Sequence, residues 1–169
     1  MASKSNTGKY TLCAFEEDLV VGDTAIEDFE GAFRLIQFPN VQLLNNMQPA
    51  QGGARKLGNP RLVPIDCMTE AGQQIPLLFQ CLVNGNNLGE TTISSIISES
   101  STVITEKELI LTNSYITNMR ILGGRDGLTC HFRIAFDEFS ITHKVIDNEH
   151  TALGETAAGG SVDTQASAE

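Results

Sequence analysis

The sequence predicts a mainly β protein with an antiparallel unit in its last third and one short helix. Residues 128–146 alternate apolar and polar side chains with a period of two, which is typical of strands with one dry and one wet face. Residues 108–122 read as a long strand that meets this stretch through the glycine-rich turn at residues 123–127. Residues 75–83 follow helical spacing instead.

The register of the last third is well specified, because a one-residue slip would turn every apolar side chain toward water. The wet face of its first half includes Thr129 and Arg133, which we expect to tolerate substitution. The predicted dry face holds Leu128, Cys130, Phe132, Ile134 and Phe136, and continues with Phe139, Ile141 and Val145.

Length and charge limit the classes of protein that the chain can represent. Its 169 residues suit one domain with a sizeable core, and a hydrophobic content of 41% is that of a globular protein. A net charge of -10 makes it a poor general binder of nucleic acid, because phosphate binding needs a cationic surface. No apolar run is long enough for membrane insertion. The polar first residues lack the apolar segment of a signal peptide, so we expect a cytoplasmic protein or one exported without a leader.

The first part of the chain is predicted as an arm, two strands and an acidic loop. Residues 1–9 form a flexible N-terminal arm, and residues 10–15 alternate as a first strand. Residues 16–30 carry seven carboxylates and are predicted to be a solvated loop or a short irregular piece. Residues 32–38 form a second strand, which Pro39 ends.

Residues 40–60 have no convincing period and are rich in amides and glycine. Long loops of this kind in compact domains are uncommon and are often functional. A plain surface loop is one interpretation. A loop ordered by a partner is the interpretation we favour, because Leu43, Leu44 and Met47 would remain exposed to water on a solvated loop.

The helix separates two further groups of strands. Residues 61–68 and 91–98 are predicted strands, and residues 103–105 lead into the long strand. Pro76 suits the first turn of the helix, where its missing N–H has no cost, and Gly85 suits its end. Such a helix caps an open end of a barrel or covers one face of a sheet.

The acidic residues 147–169 contain five acids, no lysine or arginine and no apolar period, so we predict a disordered tail. One domain is then expected over residues 10–146.

Little in the sequence predicts catalysis, a cofactor or a metal site. The cysteines Cys13, Cys67, Cys81 and Cys130 form no CxxC pair; disulfides are possible in an oxidising space, but buried free thiols fit their apolar surroundings better. His131 and His143 could face each other across the last strands, yet no cluster has the spacing of metal ligands. Cys130 and His131 are neighbours that should point to opposite faces, which argues against a thiol enzyme. We therefore predict a binding or assembly protein without catalytic, cofactor-binding or metal-binding residues.

The pattern resembles the Hcp family, the haemolysin co-regulated tube proteins of the bacterial type VI secretion system. The resemblance is carried by the helix stretch 75–82 with Asn84 and Gly85 after it, by residues 108–116, by the glycine-rich turn and by residues 128–139. It extends over roughly residues 10–147. Three features depart from the family. The sequence motif usual at its start is hard to find in residues 10–28, the turn at residues 123–127 is shorter than in many members, and the acidic tail is unfamiliar in the family.

The resemblance implies a small antiparallel β-barrel or two-sheet sandwich with one short α-helix. It also implies a non-enzymatic protomer that forms hexameric rings, which stack into a hollow tube. The implied partners are further copies of the chain and the sheath, spike and effector proteins of the secretion system. The implied location is the cytoplasm during assembly, followed by secretion without a signal peptide.

The resemblance also implies a ring-stacking surface in the long loop, because an extended loop at this place in the family takes part in ring-to-ring contact. Its candidate residues are Gln42, Leu43, Leu44, Asn45, Asn46, Met47 and Gln48. The alternative is that the loop covers its own subunit. Two alternative functions stay open as well: a tail-tube protein of a phage or related contractile particle, and a free β-barrel module that binds a small ligand.

Overall fold

The computed structural model of the chain describes residues 8–45, 52–53, 60–99, 102–146 and 152–161. The described part contains eleven strands and one helix. In chain order they are β1 Gly8–Phe15, β2 Phe33–Leu35, β3 Leu43–Leu44, β4 Arg61–Leu62, β5 Ile65–Glu70, α1 Gln74–Asn84, β6 Thr91–Glu99, β7 Thr102–Thr112, β8 Tyr115–Gly124, β9 Gly127–Ala135, β10 Glu138–Ile146 and β11 Ala152–Ser161.

Nine of the strands form one antiparallel sheet, in the order β11-β10-β7-β6-β1-β2-β5-β9-β8. The remaining strands, β3 and β4, pair only with each other. The larger of two apolar clusters contains side chains from both halves of the large sheet, so the halves face each other as in a sandwich. The described strands do not close into a barrel, because β8 and β11 are the two ends of the sheet. Of the two predicted architectures, the sandwich is therefore confirmed.

The core confirms the predicted alternation along β9. Cys130, Phe132 and Ile134 are buried, whereas Arg133 is exposed. The Phe132 ring lies 6.1 Å from the Phe33 ring of β2, which ties the two strands across β5. The prediction is wrong for Leu128, which lies next to the β8–β9 turn and is 50% exposed.

The helix α1 lies where the sequence predicts it. Pro76 occupies its first turn, and Gly85 ends it with a positive φ of 64°, a conformation that costs glycine little. Buried Gln74 fixes its N-terminus, since the Nε2 atom donates to Thr69 Oγ1 at 2.9 Å and to the Glu70 carbonyl at 3.0 Å. Thr69 Oγ1 in turn donates to the Arg34 carbonyl at 2.8 Å. This chain of hydrogen bonds joins α1, β5 and β2.

Residues 16–30 are less solvated than predicted. Ile26 and Phe29 pack on a second, smaller apolar cluster that includes Leu12, Ala32 and Ile96. The segment therefore covers the outer side of β1 and β6 with two apolar side chains and leaves its carboxylates exposed.

Several predicted strands differ in length. The long strand predicted over residues 108–122 is wrong, because Asn113 has a positive φ of 53° and separates β7 from β8. β7 pairs with β6 and β10, whereas β8 pairs with β9. The second predicted strand shrinks to β2, and the strand predicted over residues 61–68 divides into β4 and β5.

Strand pairing extends beyond both ends of the domain predicted over residues 10–146. Residues 152–161, predicted as part of a disordered tail, form β11 and pair with β10. Their small side chains show no alternation of apolar and polar residues, so the sequence does not indicate a strand here. The strand is held by its backbone hydrogen bonds instead. Gly8 and Lys9, assigned to the flexible arm, begin β1 and pair with Ser98 and Ile97. Residues 1–7, 147–151 and 162–169 lie outside the described residues.

Candidate functional site

The first candidate surface is a two-stranded extension between β2 and β5. Leu43 pairs with Leu62 and Leu44 pairs with Arg61, and neither strand pairs with the large sheet. We call these two strands, residues 43–44 and 61–62, the arm. Leu43 is 50% exposed and Leu44 is 42% exposed, so a single copy of the chain leaves both leucines substantially in water.

Four of the stacking residues predicted from the sequence lie in β3 or directly beside it. The structure exposes Gln42, Leu43, Leu44 and Asn45 together at the start of the arm. The remaining predicted residues, Asn46, Met47 and Gln48, lie outside the described residues. Their role in stacking stays a prediction.

The second candidate surface consists of the two ends of the large sheet, β8 and β11. Among the described residues, each pairs with one neighbouring strand, and α1 also contacts β8. Neither strand contains proline or lysine, residues that natural proteins use to block edge pairing. The backbone groups along these edges can therefore accept a further strand. The sequence pattern missed β11, because an Ala- and Gly-rich strand resembles a linker.

Two open clefts lie side by side at the end of β5. One, of about 400 Å³, is lined by residues of the β8–β9 turn and by Glu70 and Ala71. The other, of about 270 Å³, is lined by Asp23, Arg34 and Gln74 among others, and again by Glu70 and Ala71. We call the two clefts together the groove. Sequence reasoning missed it, because it joins segments that are far apart in the chain.

The cysteines lie in the core rather than at any of these surfaces. Burial and, to a smaller extent, the charge of Asp66 raise the pKa of the Cys67 thiol to about 12. Burial also raises the pKa of Cys13, Cys81 and Cys130. All four are buried and free. Buried thiols with raised pKa values are poor nucleophiles, because the thiolate is the reactive form.

The strand histidines do not form the pair that the sequence allowed. His131 lies opposite Met68 and Arg120, whereas His143 lies opposite Lys107 and Thr156. Cys130 is buried, and its neighbour His131 is partly exposed on the other face, as predicted.

The described residues contain neither a cluster of metal ligands nor a membrane-spanning helix. Across these residues, no group of three or more His, Cys, Asp or Glu side chains is placed to hold a metal ion. Within the same ranges, no helix has both the length and the apolar content needed to traverse a bilayer.

Comparison with known proteins supports one fold. No protein-family model and no curated protein sequence matches the chain. Solved structures do match. A structure described as a type six secretion system protein superposes with a TM-score of 0.79 at 13% identity, covering 92% of this chain and 96% of that one.

Two further structures agree. Hcp1 from E. coli EAEC 042 has a TM-score of 0.67 at 12% identity, covering 90% of this chain and 97% of its own. A type VI secretion system effector from Yersinia pestis has the same TM-score and identity, covering 90% of this chain and 99% of its own. These likenesses confirm the predicted resemblance and show that the chain has the fold of the Hcp proteins.

Proposed function

We propose that the chain is a structural subunit of a type VI secretion tube, assembling into hexameric rings that stack. The observation that carries the proposal is the exposed arm on an otherwise compact Hcp fold. A monomer gains nothing from holding Leu43 and Leu44 half exposed on a two-stranded extension. A neighbouring ring would bury them.

The two end strands of the sheet support ring formation. β8 and β11 are different surfaces at opposite ends of the strand order, so contact between them is head-to-tail. Contact of this kind closes into a ring when the rotation between subunits permits it. Identical rings that stack also contact each other head-to-tail, but this contact does not close on itself. Stacking therefore yields a filament.

The wider role follows from the same proposal. The ring would assemble in the cytoplasm, stack inside a sheath below a spike, and leave the cell with effectors. No catalytic chemistry is assigned to it. The alternative of a small-ligand module has no observation in its favour, since side chains fill the described core and the clefts are open to solvent.

The mass of the protein in solution and electron microscopy test the proposal. Native mass spectrometry should show a hexamer of the 18.3 kDa protomer, and micrographs should show rings and stacked rings. A clean monomer at high protein concentration would contradict ring formation and would favour the ligand-binding alternative.

A further inference from the structure

The smaller cleft of the groove is lined by two residues whose buried side-chain oxygens have no hydrogen-bond partner. In the part of the chain that the structure describes, three buried side-chain oxygens lack a partner: Thr24 Oγ1, Gln74 Oε1 and Thr91 Oγ1. Thr24 and Gln74 both line this cleft of about 270 Å³. A buried polar atom without a partner destabilises a fold, so two of them beside one cleft point to a ligand that completes their bonding.

The amide of Gln74 is fixed in one orientation, which makes its oxygen a preset acceptor. Nε2 donates to Thr69 Oγ1 at 2.9 Å and to the Glu70 carbonyl at 3.0 Å. The hydroxyl of Thr69 donates to the Arg34 carbonyl at 2.8 Å, so it has no hydrogen left for a flipped amide. The Gln74 residue is only 4% exposed. Because Oε1 can only accept a hydrogen bond, the ligand must supply an N–H or O–H donor.

Three charged side chains line the same cleft and do not neutralise one another. Asp23, Glu70 and Arg34 are all exposed there. Within the described residues, no ion pair joins either carboxylate to the guanidinium. The Arg34 Cζ atom lies instead 4.3 Å from the centre of the Tyr10 ring, a cation–π contact that holds the guanidinium in place. The cleft thus presents one cation and two anions to solvent.

These charges define the chemistry of a matching ligand. A carboxylate suits the guanidinium of Arg34, which binds such groups through paired hydrogen bonds. Two ammonium groups suit the two acids and Gln74 Oε1, and they give the ligand a net charge opposite to that of the cleft. The volume is below the range of pockets for drug-sized molecules, so the ligand is small. Ala25, Ile26 and Ala71 offer an apolar wall for a methylene chain.

We propose that this cleft binds a free basic α-amino acid such as lysine, with its carboxylate on Arg34 and its ammonium groups on Asp23, Glu70 and Gln74 Oε1. The cleft is open to solvent and lies outside the filled core, so the site differs from the internal cavity of a ligand-binding barrel. The inference goes beyond the proposed tube function and does not depend on the assembly of rings.

Isothermal titration calorimetry of the full chain with L-lysine at neutral pH tests the proposal. We expect saturable binding with a Kd of about 1 mM or below, as ten non-hydrogen atoms in an open cleft allow. L-norleucine lacks the side-chain ammonium, and Nα-acetyl-L-lysine amide lacks both α-charges. Each analogue should bind at least about tenfold more weakly, because each loses a charge-assisted hydrogen bond.

Matched variants locate the site. Arg34→Gln and Glu70→Gln should each weaken L-lysine binding by about tenfold or more, for the same reason. Arg120→Gln and Glu27→Gln make the same changes at exposed positions that do not line the cleft, and their affinity should equal that of the wild type. Thermal melts establish that all four variants fold.

Nuclear magnetic resonance adds a readout at the buried acceptor. L-lysine should shift the side-chain amide resonances of Gln74 and leave those of Gln80, exposed on the same helix, unchanged. Binding that depends on Arg34 and Glu70 and shifts Gln74 supports the site. Absence of saturable binding, or equal affinity of the Arg34→Gln and Arg120→Gln variants, overturns it. Equal affinity for Nα-acetyl-L-lysine amide also overturns it, since the cleft would then take a lysine side chain of a polypeptide.

Discussion

The ring of Phe139 on β10 packs against the backbone of Gly160 on β11. A Cβ atom at residue 160 would lie only 3.0 Å from Phe139 Cε1, so glycine lets the edge strand approach the core. Phe139 is only 8% exposed. β11 is therefore part of the fold, not an appendage to it.

Truncation after Ile146 is consequently expected to destabilise the protein, although the composition of this region predicts no effect on folding. Removal of β11 exposes Phe139 and leaves one side of β10 without backbone partners. The expected loss in the free energy of unfolding is about 2 kcal/mol or more, the sum of several hydrogen bonds of about 1 kcal/mol each and some apolar exposure. Urea denaturation measures it.

Truncation after Ser161 serves as the control, because it keeps all of β11. An equal stability of the two truncated forms would show that β11 contributes nothing to the fold.

The difference between prediction and structure has a physical basis at this edge. Side-chain alternation identifies strands that bury one face, and it placed Phe132 and Ile134 in the core correctly. β11 is held by its ladder with β10 and by close approach of glycine, and neither contribution leaves an apolar period in the sequence. The break between β7 and β8 was missed for a similar reason, since one left-handed residue, Asn113, interrupts an otherwise continuous strand pattern.

The candidate surfaces were predictable to different degrees. The sequence identified Leu43 and Leu44 as apolar residues in a loop with no predicted core to pack against, and both are exposed on the arm. The groove was not predictable, because Asp23, Glu70 and Asp126 come together only through the sheet order. The sequence does indicate the sign of the charge on the two surfaces, since the arm contains no acidic residue and residues 16–30 contain no basic residue.

Phe132→Ala should lower the free energy of unfolding by about 3–5 kcal/mol, the usual cost of removing a fully buried phenylalanine side chain. Phe132 is 1% exposed and contacts the Phe33 ring, so the cavity would lie at the centre of the core. Thr129→Ala, on the wet face of the same strand, is the matched control and should be nearly neutral. Thermal melts of the two variants check the strand register, and a reversed order of stability would show that it is wrong.

Gln74→Ala should destabilise the junction of α1, β5 and β2. The substitution removes the two hydrogen bonds from Gln74 Nε2 and leaves the Glu70 carbonyl and the buried Thr69 hydroxyl with fewer partners. A cost of about 1–3 kcal/mol is typical of such a loss. Gln80→Ala on the exposed face of the same helix should change stability by less than about 0.5 kcal/mol. Chemical denaturation compares the pair, and equal effects would exclude a special role for Gln74.

The stability of the protein should fall in alkaline solution. Burial raises the pKa of Cys67 from 9.0 to about 12 in the folded state, so the folded protein binds this proton more tightly than the unfolded chain does. The resulting stabilisation is complete below pH 9, the pKa of the unfolded chain, and is lost as the pH rises from about 9 toward 12.

Denaturation at several pH values measures this slope, and Cys67→Ala should reduce it. The other three buried cysteines have raised pKa values too and should account for part of the remaining slope. A slope identical in the wild type and in Cys67→Ala would show that this thiol has no part in the pH dependence.

Leu44→Asp should separate folding of the protomer from stacking of the rings. Leu44 is 42% exposed and pairs with Arg61 on a hairpin outside the large sheet, so the aspartate meets water and a neighbouring cation within its own subunit. The thermal stability of the protomer should therefore change by less than about 0.5 kcal/mol, as is usual for surface positions. Between rings, the same aspartate would place a charge against an apolar partner, and tubes should be lost while hexamers persist. Native mass spectrometry and electron micrographs measure the two results separately. Leu12→Asp, at a fully buried position of β1, is the control that should abolish folding. If Leu44→Asp also prevents folding, the arm belongs to the core of its own subunit and has no part in stacking.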